Sequence, residues 1–222
     1  MNKKAFTLAE VLIVVAIIGI VVCLTIPNII QQHRKQAIET KLKRFYVDIN
    51  EALVQAEVKY GSANRWKKLH LKEDVETYFL PFLDYKSAKF YENWKHSNGD
   101  LFDSYLIYLK NGSLVVINGR PEELNLGDYR DIGFYPDEKD FKTDKPSYLF
   151  GWYRDASELY KKNIDNGVCK DSPLKYYYDG TIKPYLNTDY ICGNMSLEHE
   201  AHRTYIIMQN NWKIPDDYPF EY

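Results

Sequence analysis

The sequence predicts an α+β protein: a long N-terminal α-helix, membrane-spanning in one half and amphipathic in the other, packed on a small antiparallel-sheet domain. Three observations carry this. Residues Phe6 to Ile26 form an apolar run containing one charged residue, Glu10. Ile38, Leu42, Phe45, Ile49, Leu53 and Ala56 then recur at spacings of three and four, which places them on one helix face. Farther along, two β-rich runs within Ser104–Ile117 flank Asn111-Gly112, a strong hairpin signal. The 222 residues leave room for the helix and for about 160 residues with a core of their own.

The chain opens on residues 1–5, which include Lys3 and Lys4, followed by the apolar segment 6–26. At a rise of ~1.5 Å per residue, such a segment spans the ~30 Å hydrocarbon core of a bilayer. A carboxylate at the centre of a membrane helix costs on the order of 3 kcal/mol, so Glu10 is expected to have a function and a partner. Nothing cationic lies within the run. A partner arises if the chain is cut before Phe6, which creates an α-amino group about one helical turn from Glu10. The leading lysines orient the amino terminus toward the cytoplasm, with His33, Arg34 and Lys35 opposing that signal from the far side. A secretory signal would end in a small-x-small site, and CLTIPNIIQQHRK, which follows the core, offers none. A lipoprotein signal needs a small residue directly before its cysteine, whereas Val22 precedes Cys23. A plain uncleaved anchor explains the length but leaves Glu10 without a purpose.

Ala5, Phe6, Thr7, Leu8, Ala9 and Glu10, behind a short basic leader, resemble the start of the type IV pilin superfamily, which includes the pseudopilins of type II secretion. The resemblance implies cleavage between Ala5 and Phe6 by a membrane prepilin peptidase, and N-methylation of Phe6. It implies an assembly role for Glu10, paired with the Phe6 amine of a neighbouring subunit, and a helix-loosening role for Pro27. The family usually has Gly where this chain has Ala5. The partners implied are other pilin-like subunits, the prepilin peptidase and methyltransferase, and an inner-membrane assembly platform. The implied location is the inner membrane, single-pass with a cytoplasmic amino terminus, and then a periplasmic or cell-surface filament. The ending NNWKIPDDYPF also resembles the tails of a group of bacterial prepilin-like proteins. Those have a Cys pair in the last third and an Asn-Gly near the middle, here Asn118-Gly119. Many carry Asp two residues before that Asn-Gly, where this chain has Val116.

Beyond Pro27 the helix is expected to continue as an amphipathic segment, 27–61, with Gly61 as its stop after Lys59 in the last turn. Residues 62–222 are then an extracytoplasmic globular domain. Within it, 65–80 reads as a short helix with Trp66, Leu69, Val75 and Phe79 inward, ended by Pro81. The polar stretch 118–147 reads as a long irregular excursion and Tyr148–Tyr153 as a strand. Leu197–Asn210 reads as a helix capped by Ser196, with Leu197, Ala201, Tyr205 and Met208 on one face; Arg203–Met208 is also compatible with a strand.

Charge and motifs narrow the function. Net charge is −2, but from Ser97 onward 14 Lys and Arg face 21 Asp and Glu, which argues against binding nucleic acid through its phosphates. Cys23 lies in the apolar run. Cys169 and Cys192 lie in the exported domain, where an oxidising compartment permits a disulfide of ~3 kcal/mol; two buried thiols are the alternative. His199-Glu200-Ala201-His202 lacks the four-residue histidine spacing of a zinc-protease helix, since Arg203 occupies that position. Asp137, Glu138, Asp140 and Asp144 form an acidic loop whose oxygens could hold calcium, but it lacks the alternation and mid-loop glycine of a calcium-binding hand, and a hydrated loop is the plainer reading. No nucleophile elbow, P-loop or dinucleotide fingerprint occurs, so no cofactor, metal or catalytic residue is expected. Twenty tyrosines, Tyr176–Tyr178 among them, suit packing and subunit contacts. The reading is a non-catalytic prepilin-like subunit of a type IV pilus or type II secretion pseudopilus. The alternatives are a tip adhesin for glycan or DNA and a membrane-tethered enzyme.

Overall fold

The computed structural model describes residues 7–67, 69–95, 101–119, 129–143, 145, 147–154, 180–185 and 202–219. Its first element, α1, runs Leu8–Tyr60, 53 residues, and passes through Pro27. The expected stop is observed. Gly61 takes φ +84°, a conformation that favours glycine, and its N–H donates to the Glu57 carbonyl at 2.8 Å. The Glu57 carboxylate then accepts from the Ala63 N–H at 2.9 Å, and the Trp66 indole donates to the Gly61 carbonyl at 2.6 Å. Packing divides the chain between Ile38 and Glu39, so the later turns of α1 are counted with the globular part.

That part is built on six strands: β1 (Tyr85–Lys95), β2 (Leu101–Leu109), β3 (Leu114–Gly119), β4 (Tyr129–Tyr135), β5 (Tyr148–Tyr153) and β6 (Lys183–Pro184). They lie in sequence order, each antiparallel to the next. The hairpin expected around Asn111-Gly112 joins β2 to β3. Gly112 takes φ +80°, the Asn111 side chain accepts from the Ser113 N–H at 3.0 Å, and the Leu109 N–H donates to the Ser113 carbonyl at 2.9 Å. The strand expected at Tyr148–Tyr153 is β5.

Alternation along the strands explains the core. Ile107, Val115, Ile117, Ile132, Phe134, Phe150 and Trp152 are fully buried and sit two apart or directly across from one another in the register. Phe45 of α1 stacks on Phe134, 4.3 Å between centroids, and meets Phe150 edge-on at 5.2 Å. Leu42, Ile49, Leu53 and Ala56 of the same helical stripe are at most 4% exposed. Burying each of the larger side chains contributes roughly 1.5–3 kcal/mol, which fixes this face of the helix. A smaller cluster of Leu106, Leu114 and Val116 packs with Tyr91, Trp94, Tyr108, Tyr135 and Phe141.

Three expectations are corrected. The stretch 118–147 is not one irregular excursion: it holds the end of β3, β4, and the short helix α3 (Glu138–Lys142), which brings Phe141 against Trp94 and Tyr135. The helix expected over 65–80 is shorter. A 3-10 turn at Ala63–Arg65 precedes α2 (Leu71–Tyr78), and a second at Leu80–Phe82 contains Pro81. Trp66, Val75 and Phe79 are buried as expected, and Leu69 is half-buried. The last helix, α4, is described over Arg203–Gln209; it buries Arg203, Thr204 and Ile207, leaving Tyr205 and Met208 half-buried. The strand alternative for Arg203–Met208 is excluded, while Ser196, Leu197 and Ala201 lie outside the described residues.

The tail after α4 is tied to α1. Glu39, 5% exposed, accepts from the Ile214 N–H at 2.9 Å and pairs with Lys213 at 2.8 Å. Asn211 and Trp212 take φ +55° and +63° to make the turn, and the Trp212 ring lies 4.9 Å from Tyr46. The NNWKI segment is thus a tertiary contact.

Candidate assembly interface on the N-terminal helix

Every residue from Thr7 to Ile30 is exposed, among them Leu12, Ile13, Val15, Ile20 and Leu24 at 60% or more. This stretch is long and apolar enough to cross a membrane. A helix apolar all round calls for an apolar surrounding.

Glu10 is the acidic residue in its first turn. Its carboxylate oxygen Oε2 accepts from both the Thr7 backbone N–H and the Thr7 hydroxyl, each at 2.8 Å. The Glu10 N–H donates to Thr7 Oγ1 at 3.3 Å. This is a reciprocal capping box that satisfies donors the first turn would otherwise leave open. Ala5 and Phe6 lie outside the described residues.

Around Pro27, which has no N–H to give to the carbonyl four residues back, side chains add donors on the same turns. Thr25 Oγ1 donates to the Val21 carbonyl at 2.8 Å and Asn28 Nδ2 to the Leu24 carbonyl at 3.4 Å. Cys23 is exposed on this helix.

The other residues singled out from the sequence do not gather here. Asp137 caps α3, accepting from the Lys139 N–H at 2.9 Å; Glu138 pairs with Lys86 at 2.6 Å and Asp140 with Lys145 at 3.3 Å. Among the described residues no three His, Cys, Asp or Glu side chains converge as metal ligands. His202 is buried and stacks on Tyr185, 6.3 Å between centroids. Asn118 accepts from the Ser104 hydroxyl at 2.8 Å inside the sheet, and Val116 belongs to the Leu106 cluster. Asp144, Cys169, Cys192, His199, Glu200 and Tyr176–Tyr178 lie outside the described residues.

A buried ionic group has no counterpart in the sequence reading. Asp74 of α2 is wholly buried; it ion-pairs with Arg154 and lies 3.2 Å from Arg130. Arg154 also donates to the Lys67 carbonyl at 3.1 Å and lies 5.6–6.0 Å from the ring centres of Trp66, Tyr78 and Trp152. The three charged residues are spread over 80 positions, so no local pattern announces them. Tyr105, hydrogen-bonded to Glu76 at 3.1 Å, has its phenol pushed up to about 12, mainly by burial. Burial likewise raises Tyr218, whose hydroxyl donates to the Arg203 carbonyl at 3.2 Å.

Residues 1–22 match the prokaryotic N-terminal methylation motif. Residues 28–222 match a family of unknown function (DUF6613). No curated protein and no solved structure matches the chain. The two matches meet almost end to end, the motif over the bare apolar helix and the family over the remainder. The chain therefore belongs to that family of unknown function, and its opening motif makes it a type IV pilin-like protein.

Proposed function

We propose that this chain is a structural subunit, a minor pilin or pseudopilin, that assembles through the first half of α1 into a type IV pilus or type II secretion pseudopilus. The observation that carries the reading is the uncovered apolar stretch from Leu8 to Ile30, headed by a single carboxylate one turn from the cleavage motif. Lipid covers that surface while the subunit is stored, and the helices of neighbouring subunits cover it after extraction. Cleavage between Ala5 and Phe6 frees an amine, and methylation follows on Phe6. Glu10 then pairs with the Phe6 amine of a neighbour. In a dry helix bundle a matched pair is tolerated whereas a lone carboxylate is costly, so the pair sets the register between subunits. The globular part stays on the extracytoplasmic side, and the protein works without catalysis.

Intact mass of the protein taken from its native membrane tests the processing step. The expected product starts at methylated Phe6; a chain retaining Met1–Ala5 overturns it. Glu10→Val tests the assembly step: membrane retention persists while the yield of sheared filaments falls. Wild-type yield at equal cellular level would deny Glu10 its role.

A further inference from the structure

Glu10 is not simply an exposed carboxylate waiting for a neighbour. Two donors from Thr7, its N–H and its hydroxyl, converge at 2.8 Å on the same oxygen, Oε2, and the Thr7 hydroxyl oxygen accepts from the Glu10 N–H at 3.3 Å. The capping box therefore folds the glutamate side chain back toward the start of the helix and uses Oε2, asking nothing of Oε1. A glutamate side chain otherwise samples many rotamers, and an ion pair between subunits would have to immobilise it. A hydrogen-bonded carboxylate is also less costly to keep in apolar surroundings than a bare one.

We propose that Thr7 is a positioning residue for assembly. Its amide and hydroxyl hold Glu10 at the helix start in the unassembled subunit, so that Oε1 meets the α-amine of a neighbour's Phe6 with its side chain already ordered. The inference rests on the assembly reading above and adds a residue to it. It predicts a requirement at position 7 for a hydroxyl rather than for a particular bulk. Valine matches threonine in shape and β-branching but supplies no hydroxyl; serine supplies the hydroxyl without the methyl.

The experiment compares Thr7→Val, Thr7→Ser and Glu10→Val in full-length protein expressed at equal level. Sheared filaments are quantified per cleaved subunit, with intact mass reporting cleavage and membrane fractionation reporting retention. Thr7→Val is expected to lower the yield about five-fold, the factor that one helix cap commands. Thr7→Ser should stay within about two-fold of wild type. Membrane retention should be unchanged in all three. Wild-type yield from Thr7→Val, with Glu10→Val defective, overturns the role of Thr7 and leaves the Glu10 pairing standing. Wild-type yield from Glu10→Val overturns both. A Thr7→Val chain that keeps Met1–Ala5 places its defect in processing and overturns the positioning role. So does a Thr7→Ser chain as defective as Thr7→Val.

Discussion

Replacing Asp74 by Asn removes one charge from the most deeply buried ionic group described and leaves its shape almost unchanged. Asp74 has no exposed surface, and the side chains of Arg154 and Arg130 are 3% and 7% exposed. At such separations a pair of unit charges interacts by ~4 kcal/mol at an effective dielectric of about 20. Much of that is offset by desolvation already incurred, but the offset is not returned when only the anion is removed. Breaking a buried pair from one side costs about 3–5 kcal/mol. Asparagine keeps one carbonyl acceptor, so the expected loss is at the lower end, about 3 kcal/mol. The assay is urea unfolding of the full chain in mild detergent, followed by tryptophan fluorescence, because Trp66, Trp94, Trp152 and Trp212 all lie beyond α1. With an m-value near 2 kcal/mol/M, the midpoint should fall by about 1.5 M. Arg154→Met should cost less, about 2 kcal/mol, since Asp74 keeps Arg130 and the methionine still fills space beside Trp66 and Trp152. A loss under about 1 kcal/mol for Asp74→Asn would mean the group is hydrated in solution and would refute this reasoning.

Glu39→Ala should destabilise the protein by about 1–3 kcal/mol, because the buried Ile214 N–H loses its acceptor, whereas Lys213→Ala, at an exposed cation, should cost under about 1 kcal/mol; equal effects in the same unfolding assay would count against this ranking. Tyr105→Phe should cost about 1 kcal/mol near neutral pH through the lost bond to Glu76. With the Tyr105 phenol raised to about 12, its stabilisation is fully present below the unfolded value of about 10 and is lost as pH rises from there toward 12. The stability gap between wild type and Tyr105→Phe should therefore narrow over that window, and a constant gap would contradict the shift. For the cysteines, natively exported protein denatured without reductant is expected to show one alkylatable thiol, Cys23, if Cys169 and Cys192 are bridged; three would rule the bridge out.

What the sequence determined by itself is local. The apolar run and its single carboxylate are visible because a membrane helix needs only length and composition. The stripe from Leu42 to Ala56, the glycine stop at Gly61 and the Asn111-Gly112 hairpin follow from periodicity and backbone conformation, which neighbouring residues encode. Tertiary structure decided the rest. β4, YRDIGFY, carries adjacent charges at Arg130 and Asp131 and so reads as a loop, yet Arg130 is buried beside Asp74 of a distant helix. β1, YKSAKFYENWK, sits at one end of the strand order with register shifts near Ser87 and Trp94, and no residue of it is fully buried, so it shows no clean alternation. In α4 the buried residues are Arg203, Thr204 and Ile207, two of them polar by type, while Tyr205 and Met208 of the apolar face are half-buried. Patterns of apolar residues announce burial driven by the hydrophobic effect; burial of a charge depends on a partner elsewhere in the chain, and only the folded structure brings the two together.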